Sequence, residues 1–134
     1  MTSAEVMRRI FQQIVVEGHL DLADELLHEN YVEHPEDVPG RQAWKDRIAM
    51  FRRAFPDLSV TIDEMVVDGD RVATRTTIRG THKEDLMGIA ATGRAVEVIG
   101  VDITHLRDGQ AVERWGGIDM FGLLHQLGAI PSPA

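Results

Sequence analysis

The chain has 134 residues, enough for one compact domain, and 43% of them are hydrophobic while 27% are charged. Its formal net charge of −8 argues against a nucleic-acid or anionic-membrane partner, and no apolar run approaches the about 20 residues that a membrane-spanning helix needs. It contains no cysteine, which excludes disulfides and thiol catalysis and fits the reducing cytoplasm. We therefore expect a single cytoplasmic domain over residues 1–134.

The first part of the chain predicts three helices. A capping box with Thr2 as its first residue starts the first helix. A second, short helix ends by Asn30, and the next four residues, YVEH at 31–34, have an extended pattern. The third helix runs from about residue 41 to 54, where apolar side chains that include Phe51 recur every three or four positions and form one stripe.

The second part predicts strands, because apolar and polar residues alternate from Leu58 onward. Turn signals at DGD and RDGQ indicate two hairpins, separated by a loop at residues 83–94. MFGLLHQLG then predicts a short last helix, and residues 129–134 a flexible tail. Three helices, antiparallel strands and one late helix form an α+β layout, in which helices pack on one face of a curved sheet and leave a pocket between the layers.

The turn of the last hairpin decides which polar residues face this pocket. If RDGQ forms a three-residue loop, odd-numbered residues of both strands share one face, and His105 and Asp119 lie together. If Asp-Gly alone forms a two-residue turn, His105 and Asp119 fall on opposite faces. We favour the first register, with Asp102 and Arg114 turned away from the pocket. Its inward face holds Val101, Ile103, His105, Trp115, Gly117 and Asp119.

Several of these polar residues have two interpretations. Asp119 is either a carboxylate that takes part in chemistry inside the pocket or the N-cap of the helix that follows it. Gly116 and Gly117 either leave room for a ligand or mark a bend in the strand. His82 ends the apolar face of an earlier strand, and His34 lies where the chain enters the sheet. A lone histidine is more often a hydrogen-bonded packing residue than a catalyst.

The motifs taken together resemble those of a known family. GTH, a loop with MG and TGR, a VDI strand, a DG turn, E-x-W and an Asp before a QLG helix are similar to the pattern of the SnoaL-like polyketide (ester) cyclases, in the nuclear-transport-factor-2-like superfamily. YVEH and FPDL in the first half fit the same pattern. The resemblance implies a cone-shaped α+β barrel with a deep cavity between the helices and the sheet, in an oligomer joined through the sheet.

The resemblance also implies an activity, an intramolecular aldol ring closure without a cofactor. By position, it implies that Asp119 is the acid/base and that His105 is its partner. A carboxylate beside Trp115 would be desolvated, and desolvation raises a carboxyl pKa towards the value that proton transfer needs. The residues that we expect to contact a small apolar carbonyl substrate are His34, Phe51, His82, Met87, Ile89, Trp115 and Gly117.

Two alternatives stay open. The three histidines and Asp119 would have to converge to bind a metal, and without an HExxH motif or a close histidine pair we predict neither a metal nor a cofactor. The chief rival to an enzyme is a non-catalytic module of the same fold that binds a small ligand or dimerises, because one fold hosts many functions.

Overall fold

The helices begin close to their predicted positions. The structure is a computed structural model and describes residues 1–35 and 38–131. Thr2 caps the first helix, as predicted, because its hydroxyl accepts a hydrogen bond of 3.1 Å from the backbone N–H of Glu5. The helical segments are α1 (Ser3–Arg9) with its π-helical continuation (Ile10–Val16), a 3₁₀ turn (Leu20–Leu22), α2 (Ala23–Leu26), α3 (Arg41–Ala54) and α4 (Met120–Gln126).

The second helix is shorter than predicted. It ends at Leu26 rather than at Asn30, and Leu27 already has extended backbone angles, with φ −118° and ψ 139°. Leu27 is the first residue of a strand, and its partner Ala111 lies in the last strand of the sheet. Pairing with a strand far away in sequence therefore overrides the local helical pattern.

A six-stranded sheet forms the second layer. Its spatial order is β2-β1-β6-β5-β4-β3, in which β1 and β6 are parallel and the other neighbours are antiparallel. Helices packed on a curved, mostly antiparallel sheet confirm the predicted α+β fold. The strands are β1 (Leu27–His34), β2 (Val38–Pro39), β3 (Ser59–Asp68), β4 (Arg71–Thr81), β5 (Ala95–Arg107) and β6 (Gln110–Ile118).

The last hairpin has a two-residue turn, so the predicted three-residue loop is wrong. Asp108 and Gly109 both have positive φ, at 52° and 77°, and Arg107 pairs with Gln110. These angles are those of the tight turns that match the twist of a hairpin. Beyond the pair of Leu106 and Ala111, the register shifts by one residue. This shift is a β-bulge, in which two residues of one strand lie opposite one residue of the other.

The bulge restores the pairing of odd-numbered residues, but their face is the outer one. Beyond it, Ile103 pairs with Trp115 and Val101 with Gly117. Val101 is 57% exposed and Trp115 is 50% exposed, so the prediction that this face lines the pocket is wrong. The helices cover the opposite face, where the even-numbered residues of β5 from Val96 to Leu106 are buried.

Two apolar clusters fill the space between the layers. The first surrounds α1 and the start of β1, and it includes Ile14, Leu26 and Trp44. The second lies where the end of α3 meets α4, and it includes Phe55 and Leu123. No helix of the described residues is long and apolar enough to cross a membrane. Of the predicted flexible tail, residues 132–134 lie outside the described part of the chain.

Candidate active-site cavity

A cavity of about 120 Å³ lies between the helices and the inner face of the sheet. Apolar cavities of ~150 Å³ in proteins admit one benzene molecule, so this cavity holds about one aromatic ring, and the rest of a larger ligand extends through its open side. Apolar side chains of the helices form its roof, among them Phe11, Trp44 and Phe51. Strands β4, β5 and β6 form its floor, which combines apolar residues such as Ile78 and Ile118 with four polar ones: Thr76, Asp102, Thr104 and Arg114.

Asp102 is a buried carboxylate in this floor, and it is 4% exposed. Thr74 donates a hydrogen bond of 2.7 Å from its hydroxyl to Oδ1, and Arg114 Nη1 lies 3.4 Å from Oδ2. Burial raises the pKa of Asp102 above its ordinary value of 3.8, while the Arg114 charge and the Thr74 hydrogen bond oppose the rise. Asp102 therefore has the desolvated environment that the sequence analysis assigns to Asp119.

Glu33 is a second carboxylate that lines the cavity, and it is 1% exposed. Arg114 Nη2 forms an ion pair with its Oε2, and Arg47 Nη1 lies 3.6 Å from Oε1. The hydroxyl of Tyr31 donates a hydrogen bond of 3.0 Å to Oε2, and burial raises the pKa of Tyr31 well above its usual value, so the phenol keeps its proton. Arg114 thus bridges Glu33 and Asp102 below the cavity.

Asp119 lies outside this cavity, so its predicted inward position is wrong. Its side chain is exposed and caps α4, because Oδ1 accepts a hydrogen bond of 2.9 Å from the backbone N–H of Gly122. His105 lies on the outer face, where its Nδ1 is 3.1 Å from Glu113 Oε1. Neither side chain lines the cavity, and the two do not share one site.

The other histidines also lie away from the cavity. His34 is on the outer face, with Nε2 3.0 Å from Glu113 Oε2 and its ring stacked on Trp115 at a centroid distance of 4.1 Å. His82 is fully buried beside Phe55, at a centroid distance of 5.5 Å. No group of three or more histidine, aspartate and glutamate side chains within residues 1–35 and 38–131 is arranged to hold a metal ion.

The remaining predicted contact residues divide into two groups. Phe51 and Gly117 line the cavity, and their contact with a substrate stays a prediction. Met87 is 52% exposed at the tip of the loop between β4 and β5, and Ile89 lies beside it, so neither covers the cavity. The loop instead buries Leu86 in the second apolar cluster.

Gly116 is a glycine because two strands approach closely at this point. A Cβ atom there would collide with the backbone carbonyl oxygen of Val101, and its φ of +111° is unfavourable for other residues. The space that this glycine leaves is therefore filled by β5 rather than by a ligand. Gly117 differs, since a Cβ atom built on it has no neighbour within 4 Å.

The polar residues of the cavity floor were not predicted from the sequence, although a signal was present. Asp102 and Thr104 lie on the same face of β5 as Val96 and Val98. Because Val96 and Val98 are apolar, their position indicates that this face is the buried one. A second signal was Glu113, because the register favoured from the sequence turns odd-numbered residues inward and would also bring this charged side chain to the inner face. Its charged side chain lies on the outer face in the structure, in contact with His34 and His105.

The comparisons with known proteins agree with this architecture. The chain matches the model of the SnoaL-like polyketide cyclase family over residues 5–127. The structure of TsrD from Streptomyces laurentii is similar, with 31% identity over 95% of each chain and a TM-score of 0.86. IdmH from Streptomyces antibioticus, a proposed polyketide cyclase, is 31% identical over 96% of this chain and 99% of its own, with a TM-score of 0.81.

A third similar structure belongs to a protein with another proposed activity. AclR from Streptomyces galilaeus, a proposed hydroxylase, is 26% identical over 98% of this chain and 84% of its own, with a TM-score of 0.85. No curated protein matches the chain in sequence. Since similar structures carry different proposed activities, the reaction has to be argued from the cavity itself.

Proposed function

The chain belongs to the SnoaL-like polyketide cyclase family, and from this premise we propose that it catalyses an intramolecular aldol-type ring closure with Asp102 as the proton-transferring group. The substrate is a small, mostly apolar compound with an activated carbonyl group. One observation carries the proposal: a carboxylate with a raised pKa lies in the floor of an otherwise largely apolar cavity. A general acid/base works best when its pKa lies near the operating pH.

The reaction needs one group that accepts a proton and later returns it. The ionised Asp102 removes a proton from the carbon next to the substrate's carbonyl, and the electrons of that C–H bond form an enolate. The enolate carbon attacks a second carbonyl carbon of the same molecule, so that a C–C bond forms and the C=O π bond breaks. The proton on Asp102 then passes to the resulting alkoxide. Atoms and charges balance without an added reagent.

The neighbours of Asp102 hold it in position for this cycle. Thr74 fixes one carboxylate oxygen, and the long contact of 3.4 Å to Arg114 leaves the other less tightly held. Arg114 stays in place because it also forms an ion pair with Glu33. The guanidinium charge favours the ionised form of Asp102, which limits the effect of burial and keeps a usable fraction of base.

The test compares one substitution at two carboxylates. Benzoylacetone carries one aromatic ring and two carbonyl groups that flank a methylene, and NMR in D2O follows exchange of the methylene hydrogens. We expect the wild-type protein to accelerate exchange above the buffer rate, with a rate that rises as Asp102 ionises. Asp102→Asn should lower the acceleration by about 10²–10⁴-fold. Asp119→Asn, the matched control outside the cavity, should not change it.

Two results would contradict the proposal. If Asp119→Asn abolishes the acceleration and Asp102→Asn does not, the reacting carboxylate lies at the N-terminus of α4. If the wild-type protein binds benzoylacetone but exchange proceeds only at the buffer rate, the non-catalytic ligand-binding module is the better description. Binding is measured separately, by quenching of the fluorescence of Trp44, which lines the cavity.

We propose further that two copies of the chain associate through the outer face of the sheet. Ile99, Val101, Ile103 and Trp115 are each about half exposed there, at 52%, 57%, 47% and 50%. An exposed apolar patch of this kind is typical of a protein–protein interface. The outer face also carries charges of both signs, for example Arg75 and Glu64, so it can pair with itself. The cytoplasmic location stays a prediction.

A further inference from the structure

We propose that the hydroxyl group of Thr104 binds the substrate, by donating a hydrogen bond to the carbonyl oxygen that becomes the enolate oxygen. The inference deepens the proposed function and rests on it, because it assumes that Asp102 removes the neighbouring proton. It gives the cavity a second polar contact with the substrate, and it requires that the carbonyl group attached to the reacting carbon faces Thr104.

The first observation is the state of the Thr104 side chain. Thr104 is 1% exposed and lines the cavity. Its Oγ1 is buried and has no hydrogen-bond partner among the residues that the structure describes. The two other buried threonines of the inner face differ in this respect, since Thr74 donates to Asp102 at 2.7 Å and Thr76 to the carbonyl of Gly100 at 3.4 Å.

The second observation is the position of Thr104 relative to Asp102. The two residues are separated by one residue on β5 and face the same way, so their Cα atoms are about 7 Å apart at the usual strand rise. Thr104 also lies opposite Arg114 in the register of β5 and β6. In an enolisable carbonyl compound, the acidic hydrogen can face the Asp102 carboxylate while the carbonyl oxygen accepts a hydrogen bond from Thr104. A separation of this order between the two residues suits that arrangement.

The third step is energetic. A buried hydroxyl without a partner destabilises a folded protein, whereas an apolar side chain of the same shape does not. Valine has the shape of threonine and suits a strand equally well. The hydroxyl of Thr104 is therefore unfavourable for folding, and a bound molecule that supplies an acceptor removes this penalty. Negative charge that develops on the acceptor oxygen strengthens the hydrogen bond during the reaction.

The test replaces the hydroxyl and keeps the shape. In Thr104→Val, we expect urea unfolding to show equal or greater stability, together with a decrease in benzoylacetone exchange of roughly 10²-fold, as for the loss of one oxyanion donor. The decrease should appear mainly in kcat. Thr104→Ser, which keeps the hydroxyl, should retain most of the activity. Thr77→Val, the control outside the cavity, removes a threonine hydroxyl that already donates to Asp63 and should leave exchange unchanged.

The outcomes separate this inference from the proposed function. If Asp102→Asn abolishes exchange while Thr104→Val leaves both exchange and benzoylacetone affinity unchanged, Thr104 does not bind the substrate and the inference alone fails. A loss of stability in Thr104→Val would also overturn it, because the hydroxyl would then serve the fold. If Asp102→Asn leaves exchange unchanged but Thr104→Val weakens benzoylacetone binding and Thr104→Ser restores it, the proposed function fails and the assignment of Thr104 stands.

Discussion

In the middle of β5, from Val101 to Thr104, the two faces invert the usual distribution of polar and apolar residues. On the inner face, which the helices cover, Asp102 and Thr104 are 4% and 1% exposed. On the outer face, Val101 and Ile103 are 57% and 47% exposed. Alternation along a strand therefore separates its two faces but does not tell which of them is inside. A buried face that holds the proposed reactive site and an exposed face that is the proposed interface together reverse the pattern of an ordinary half-buried sheet.

The inner face tolerates its charges because they neutralise one another. Arg114 contacts both Glu33 and Asp102, and Arg47 lies near Glu33. Removal of one member of a buried charge group is strongly destabilising, since it leaves another charge buried without compensation. The same substitution on the outer face removes a contact that water replaces. Paired substitutions on the two faces therefore test the comparison directly.

The largest expected effect is on the inner face. Arg114→Met keeps much of the side-chain volume but leaves Glu33 and Asp102 without the cation that they share, so we expect a loss of about 3–5 kcal/mol of unfolding free energy. The matched control is Arg79→Met on the outer face, where Arg79 is 51% exposed in its ion pair with Glu97, and about 0–1 kcal/mol is expected. Guanidinium chloride unfolding measures both. Equal losses would show that the inner ion pairs are solvated.

The comparison also explains what the sequence could and could not predict. The α+β layout, the third helix and the DGD hairpin follow from local periods and turn chemistry, and all three are present. The inward direction of Asp102 was only indirectly indicated, by the apolar Val96 and Val98 on the same face of β5, because Val101 and Ile103 make the other face apolar as well. The contacts that hold Asp102 inward are not local, since its partner Arg114 lies on another strand and the bulge after the Leu106 pair resets the register.

The second expected effect is on the outer face. Val101→Lys places a charge in the centre of the proposed interface, and desolvation of that charge should weaken association by about 2 kcal/mol or more. Sedimentation equilibrium should then show a shift from dimer to monomer, with benzoylacetone affinity unchanged. Val67→Lys is the control, because Val67 is also exposed, at 45%, but pairs with the buried Val72 and so lies on the other face of the sheet. A monomeric wild-type protein would contradict the proposed interface.

A third test uses the opposite pKa shifts of a buried and an exposed carboxylate. Burial raises the pKa of Asp102, so the folded protein keeps this proton to a higher pH than the unfolded chain does. The contribution of Asp102 to stability is therefore greatest below the ordinary pKa of 3.8 and is lost as the pH rises through the raised value. Hydrogen bonds from the backbone and the hydroxyl of Thr81 lower the pKa of Asp57, whose contribution is present above 3.8 and lost as the pH falls through the lowered value.

Asparagine variants measure these two contributions. The unfolding free energy of Asp102→Asn minus that of the wild-type protein should increase as the pH rises above 3.8, because the variant stays neutral while Asp102 ionises. For Asp57→Asn, the same difference should decrease with pH and reach its minimum above 3.8. Urea unfolding at a series of pH values between acid and neutral gives both curves. Parallel curves for the two variants would mean that Asp102 is as well solvated as Asp57.

The smallest expected effect concerns the carboxylate at the N-terminus of α4. Asp119→Ala removes the hydrogen bond to the backbone N–H of Gly122 and should cost about 1 kcal/mol of unfolding free energy. Asp119→Asn should cost almost nothing, because asparagine caps a helix as well as aspartate does. Neither substitution should change the exchange of benzoylacetone hydrogens. If Asp119→Ala loses stability and keeps its exchange rate, this aspartate serves the helix end. If Asp119→Asn instead keeps its stability and loses exchange, the reaction requires the Asp119 carboxylate, and the roles of Asp119 and Asp102 are reversed.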